Sequence, residues 1–287
     1  MHPVLPDLTI RQMAYLVAVV DEATWAMAAE RVGVSPSALS QGLAELERRL
    51  GVPLFEPQGR RRVLRRSARP VVDHARRVLA LTRDLVDWTD RVRGGRHGRV
   101  RLGMIDVAAV VHFPATVAAF RAEHPDVGLT LSVAPSAQLL HGLRDGDLDL
   151  VVCVEPPEHH DGLETLELRR EMLVVMAPLD TTIGPPATWG PWVTFPSDSH
   201  TRRLIVTALA ELGAPTTIAA ESHQPDVLVQ MVRLGLGWTV LPIDPSLGTD
   251  EQVVFGPPVV ERVLVMARRA DSINDPAADE LARRLRA

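Results

Sequence analysis

Apolar positions in the first fifty residues recur every three or four places. Met13, Leu16, Val17 and Val20 mark one face of a helix that Thr9 and Gln12 open with capping-box spacing. Trp25, Ala28, Ala29 and Val32 mark a second, with Thr24 as its N-cap and Gly33 suited to the left-handed position that ends it. Leu39, Leu43, Leu46 and Leu50 mark a third, started by Ser35 as N-cap and Pro36 at the first helical position and stopped by Gly51. Beyond residue 70, Val71, Val78, Leu85 and Val92 repeat every seven residues, beside Val72, Leu79 and Val86. That predicts a long helix with a seam for a partner helix, although a face packed on its own chain's core would read similarly. GGRHG, at 94–98, breaks the helix and predicts a joint.

From residue 99 the pattern alternates between strand and helix. Strands are predicted over 100–104, 129–133, 148–154, 171–178, 192–195, 217–220, 238–242 and 261–268. Helices are predicted over 110–123, 137–144, 202–212, 225–234 and 276–286. Such alternation means an α/β domain, with a largely parallel sheet expected.

Charge sharpens this division. The net charge of −5 hides 16 arginines against 11 acids in residues 1–97, and 15 against 25 in the remainder. A basic front joined to an acidic back suggests a polyanion-binding module coupled to something else. The single cysteine, Cys153, offers no disulfide framework and falls within an apolar strand, where inert core is the expected role. No apolar run is long enough to span a bilayer and no signal peptide opens the chain, so a cytoplasmic location is expected.

The second and third helices, joined by a tight glycine-containing turn, form a helix-turn-helix. The outer face of the third helix carries Ser35, Pro36, Ser37, Ala38, Ser40 and Gln41 in place of long charged side chains. A slim face lets a helix backbone approach base edges. Glutamine can bond adenine with two hydrogen bonds, serine can bond either kind of edge, and alanine can meet a thymine methyl. A well-capped helical hairpin explains this stretch equally well. The segment that follows favours DNA: GRRRVLRRSARP, at 59–70, holds Arg60, Arg61, Arg62, Arg65, Arg66 and Arg69 without an acid, around a short strand at Val63 and Leu64. That predicts a basic wing reaching for phosphates or the minor groove.

These residues resemble a LysR-type transcriptional regulator. Ala28 and Ala29 are followed in register by Ser35, Ala38, Leu39, Ser40, Leu43, Leu46, Glu47, Leu50, Gly51, Leu54 and Phe55 of that family's pattern. The chain departs from the pattern at Ala23-Thr24-Trp25, at Pro57, and in the wing at Arg65, Arg66, Ser67 and Ala68. Further matches are RLGM near the first strand of the α/β part, Phe120 with Pro125, GDLDL at 146–150 and GLGWTVLP from Gly235. The resemblance implies a winged helix-turn-helix over 1–68, a linker helix for dimerisation over 69–93, a hinge over 94–98 and an effector-binding domain over 99–287. That domain resembles periplasmic binding proteins. One lobe is expected at about 99–165 with 264–287, and the other at about 166–263.

On this reading the protein is a sequence-specific DNA-binding regulator modulated by an unknown small-molecule effector bound between the lobes. Its implied partners are double-stranded DNA, a second copy of itself as dimer or tetramer, and RNA polymerase, with no membrane and no cofactor. Effector contacts are expected from loops after strands: Asp106, Ser136, Ser199, His200, Thr201, Arg202 and Ser222. Ser199 and Thr201 also sit where they would cap a helix, and Arg202 suits a carboxylate ligand or a surface acid. Asp106 is notable because many relatives carry a small hydroxyl residue in that loop. The enzyme alternative, an α/β catalytic or solute-binding domain with a regulatory extension, lacks a nucleophile elbow, a zinc-protease motif and a phosphate loop. Glu158, His159, His160 and Asp161 form the one dense cluster of possible metal ligands, after Pro156-Pro157, and are expected to be an exposed loop.

Overall fold

The computed structural model describes residues 7–59, 61–94, 98–158, 162–242, 252–273 and 275–287. The chain divides into two compact units, residues 1–93 with 144–147 and residues 94–143 with 148–287.

The first unit begins with helices α1 (Ile10–Asp21), α2 (Trp25–Arg31) and α3 (Pro36–Leu50). All three starts use the caps expected: Thr9 and Gln12 form a complete capping box, the Thr24 hydroxyl accepts from Met27 N, and Ser35 accepts from Ala38 N. Leu16, Leu39, Leu43 and Leu46 meet in a core closed by Leu54 and Phe55. Helices α1 and α3 approach closely at Gly42, where a Cβ would stand 2.7 Å from the Tyr15 ring. A two-stranded wing follows, β1 (Phe55–Gln58) antiparallel to β2 (Arg61–Leu64).

Glu47 explains how α3 passes into the wing. Its Oε1 accepts from the backbone N–H groups of Leu54 (2.8 Å) and Phe55 (3.1 Å), and its Oε2 lies 3.4 Å from Arg62. Two backbone donors at the end of the turn thus find an acceptor that no neighbouring strand supplies. Glu47→Ala should cost about 1–3 kcal/mol, read by urea unfolding of the helical signal, whereas Glu47→Gln should recover most of that loss.

Helix α4 (Arg69–Gly94) is longer than its own core needs. Its first turns bury Val72 and Ala75 in the core of this unit, with Val71, Val78 and Leu79 half-buried beside them. Further along, Leu85 is 51% exposed and Val92 65% exposed. The seven-residue repeat is therefore shared between two tasks. A straight helix drifts about 20° per heptad against a strict seven-residue repeat, so Val71 and Val78 turn toward their own core while Leu85 and Val92 turn away. The exposed stripe is completed by Leu81 and Trp88, giving spacings of four, three and four.

The second unit is α/β. A six-stranded sheet runs in the order β4 (Gly128–Val133), β3 (Arg99–Met104), β5 (Leu150–Val154), β10 (Val253–Arg269), β6 (Leu163–Pro178) and β9 (Thr239–Pro242). The first three strands are parallel; β10 and β6 are antiparallel to their neighbours, so the sheet is mixed where a largely parallel one was expected. The reason is the length of β6 and β10. Each runs continuously from one half of the domain into the other, and they pair antiparallel along almost their whole length. β7 (Trp192–Thr194) and β8 (Ile218–Glu221) are parallel, and Trp192 bridges to Trp238 beside β9.

One apolar core packs α5 (Pro114–Glu123), α6 (Ser136–Arg144) and α9 (Pro276–Arg286) around the first strands. The other packs α7 (His200–Glu211) and α8 (Pro225–Arg233) with Trp189, Trp192 and Trp238. The helix expected over 110–123 is split: a π-helical turn spans Ala108–His112, and Pro114, unable to donate an N–H, starts α5 afresh.

Candidate functional site

The first candidate surface is the start of α3. Ser35, Pro36, Ser37, Ala38, Ser40 and Gln41 are all exposed, while Leu39, Leu43 and Leu46 are buried on the opposite side. The Ser35 hydroxyl already accepts from Ala38 N and lies 3.0 Å from the Ser37 hydroxyl. The first orphan donors of the helix are thereby partly satisfied, and Ser40 and Gln41 remain free of such capping duties.

The wing arginines divide in role. Arg60 lies outside the described residues. Arg61 opens β2. Arg62 holds its guanidinium 5.6 Å from the ring centres of both Trp25 and Phe55, which pack edge to face at 5.2 Å. With Glu47 on its other side, Arg62 is a clamp between α2, α3 and the wing. Arg65 donates from Nε to the Phe55 carbonyl at 3.3 Å. Arg66 and Arg69 are exposed and carry no ion pair among the described residues.

The second candidate site is a cleft of about 230 Å³ in the α/β unit. Four of the seven predicted residues line it: Asp106, Ser136, Ser199 and Thr201. His200, Arg202 and Ser222 do not. Consecutive helical residues point about 100° apart, so α7 turns Thr201 inward and Arg202 outward. Arg202 bonds the Phe195 carbonyl at 3.1 Å and pairs with Glu221. Ser222 accepts from Gln224 N at 3.1 Å and shapes the turn into α8. Ser199 does cap α7, accepting from Arg202 N. The starts of α6, α7 and α8 all border the cleft through Ser136, Ser199 and Pro225, which favours negative charge there.

The residue that sequence reasoning missed is Arg262. It is 4% exposed, lies on β10 opposite Glu171 of β6, and lines the cleft. Its Nε donates to Glu171 Oε2 at 2.7 Å and its Nη1 donates to Thr201 Oγ1 at 3.2 Å. His112 donates from Nε2 to the other Glu171 oxygen at 2.5 Å. The chain His112–Glu171–Arg262–Thr201 thus links the π-helical turn, both long strands and α7 within one unit. In the lining of the same cleft, burial raises the pKa of Asp106 above the ordinary carboxylate value, and the charge of Asp226 adds to the effect.

Cys153 is fully buried on β5, and burial pushes its thiol up to about 12, so it is not poised as a thiolate. Trp25 and Trp238 are packing residues, the first against Phe55 and the second against Trp189 and Trp192. Of the acid and histidine cluster, His159, His160 and Asp161 lie outside the described residues. Among the described residues no group of metal-ligating side chains converges, and no helix is long and apolar enough to cross a membrane.

Comparison with known proteins agrees with both units. Residues 10–68 match the bacterial regulatory helix-turn-helix protein, lysR family, and residues 93–287 match the LysR substrate binding domain. An uncharacterized HTH-type transcriptional regulator YfeR from Shigella flexneri is 27% identical over 96% of this chain and 92% of its own length. A full-length OxyR from Pseudomonas aeruginosa superposes with a TM-score of 0.63 at 25% identity, covering 97% of this chain and 95% of that one. CbnR complexed with its target DNA gives a TM-score of 0.58 at 19% identity over 97% and 99% of the two chains, a likeness of fold. The chain is a two-part regulator with a helix-turn-helix and an effector-binding domain, not an enzyme, and it belongs to the LysR family of transcriptional regulators.

Proposed function

We propose that this regulator works in the cytoplasm as a homo-oligomer on double-stranded DNA. Ser35, Ser37, Ala38, Ser40 and Gln41 would enter the major groove, with Pro36 setting the start of the helix. Arg60, Arg61 and Arg65 would reach the sugar–phosphate backbone, joined by Arg66 and Arg69. Arg62, clamped on Trp25, would hold the wing in place and add charge from its exposed edge. A second copy would dock on the stripe of Leu81, Leu85, Trp88 and Val92, so that two reading helices meet two half-sites. RNA polymerase is the further partner such a regulator would engage. A small effector in the 230 Å³ cleft, touching Asp106, Ser136, Ser199 and Thr201, would bias closure of the two halves that β6 and β10 join. The bias would pass from the α/β unit to the linker helix and the DNA; residues 95–97 of the expected joint lie outside the described residues.

The observation that carries this reading is the exposed, slim, serine-rich face on α3, backed by the buried Leu39, Leu43 and Leu46. It is tested by selecting genomic fragments with the purified full-length chain at about 0.1 M salt, where backbone attraction is partly screened. Footprints over two half-sites about one helical turn apart, or a multiple of it, are expected. Equal retention of scrambled duplex would overturn the reading.

A further inference from the structure

The cleft carries two opposite charges, and each is incomplete in a way that asks for a ligand. Arg262 is almost wholly buried, yet its Nη2 has no hydrogen-bond partner among the described residues; its Nε and Nη1 are taken by Glu171 and Thr201. Five guanidinium donors in a rigid fork suit a planar carboxylate. Two hydroxyls stand beside it with donor capacity to spare. Ser136 accepts from Val154 N at 3.2 Å and Thr201 accepts from Arg262, so each keeps its own O–H for an acceptor in the cleft. The helix starts that border the cleft add positive potential to it.

Asp106 is the opposite case. It lines the same cleft, half-buried, and no cation pairs with it among the described residues. A partly desolvated carboxylate without a partner is costly to the free protein. A bound ammonium group would remove that cost. A plain carboxylate effector would satisfy Arg262 and leave Asp106 facing added negative charge. A plain amine would satisfy Asp106 and leave the Nη2 donor unmet. Apolar side chains also line the cleft, including Ile105, Val133, Val154 and Phe195, beside the polar His223 and Gln224. The volume falls below the ~300 Å³ typical of the smaller drug-sized sites, so the occupant is a small metabolite.

We infer that the effector is a zwitterionic amino acid, its carboxylate held by Arg262 with the Ser136 and Thr201 hydroxyls and its ammonium held by Asp106. This rests on the cleft being the effector site. Its side chain, lying along the apolar walls, is aliphatic or aromatic.

The test uses the full-length protein, with thermal shift followed by calorimetry. The probes are the common L-amino acids and, for each, the carboxylic acid lacking the amine and the amine lacking the carboxylate. At least one apolar amino acid should raise the melting temperature and bind roughly tenfold or more tightly than either truncated analogue, the worth of one charge-assisted hydrogen bond. Asp106→Asn should weaken that amino acid by a similar factor and leave the deaminated acid unchanged or tighter. Thr201→Val should weaken both. Arg262→Lys, which keeps the buried charge but loses the planar fork, should weaken the amino acid while preserving the fold. Binding of the deaminated acids without the amino acids would overturn the zwitterion while leaving the cleft as the effector site. Amino-acid binding untouched by all three substitutions would place the ligand elsewhere and sink the cleft reading as well. No response to any amino acid would overturn the inference.

Discussion

Glu171→Leu should unfold the α/β unit at a temperature about 10 °C lower than the unsubstituted chain. Glu171 and Arg262 are 6% and 4% exposed, and they face each other across β6 and β10 where those strands pass between the two halves of the domain. Removing one partner of a buried ion pair costs about 3–5 kcal/mol, because the surviving charge stays in low dielectric. A unit of this size loses roughly 2–4 °C per kcal/mol. The open Nη2 side of Arg262 lets water from the cleft reach part of the stranded charge, which holds the loss toward the lower end. His112 loses its acceptor in the same step. Replacing both members, Glu171→Leu with Arg262→Leu, should recover much of the loss, since a buried pair is often matched by apolar residues of similar volume. Thermal unfolding by circular dichroism checks both. A double variant as unstable as the sum of two independent losses would show that the charges do not depend on each other. The double variant should also remain folded yet lose its effector response, because the donor fork lining the cleft is gone.

The pair also marks where sequence reading stops. The leucine stripe of α3, its serine cap and its glycine stop are local facts, and all can be read from residues within one helix. The strand containing Arg262 was visible too, as ERVLVMAR. In an isolated strand, however, an arginine among alternating aliphatics reads as a solvent-facing position. Only the register with β6, which sets Arg262 against a residue 91 positions earlier, turns it inward. The full length of β10 was hidden by Gly256, Pro257 and Pro258, which look like a turn and instead form an irregular stretch in the ladder. β6 was cut short for a different reason: residues 163–170 are mostly polar, and they hold strand conformation by pairing with β10 rather than by burying their own side chains. Arg202 has the chemistry to hold a ligand, but one step of helical rotation takes it out of the cleft that Thr201 lines. In the basic wing, counting arginines described the charge but not the division of labour. Arg62 lies in a run of arginines, and nothing local reveals that Trp25 and Glu47 hold it.

Gln41→Ala should reduce binding to the preferred DNA site by about 10- to 100-fold, the worth of one two-point base contact at ~1–3 kcal/mol. Gln41 is exposed, makes no capping contact of the kind that occupies Ser35, and stands just over one turn beyond the helix start. Its removal therefore leaves the fold of α1, α2 and α3 intact, and the melting temperature of the first unit should not move. Binding to random duplex should also hold, because that affinity comes from phosphate neutralisation by arginines, which Gln41 does not supply. Arg66→Ala gives the complementary behaviour. It should weaken specific and random DNA by the same factor and lower the slope of log affinity against log salt by roughly one. The two substitutions separate base reading from backbone attraction in a single titration series. If Gln41→Ala lost the same factor on random duplex as on the preferred site, Gln41 would be serving as a general surface contact. The specificity would then have to come from Ser37, Ala38 and Ser40, or from the shape of the DNA itself.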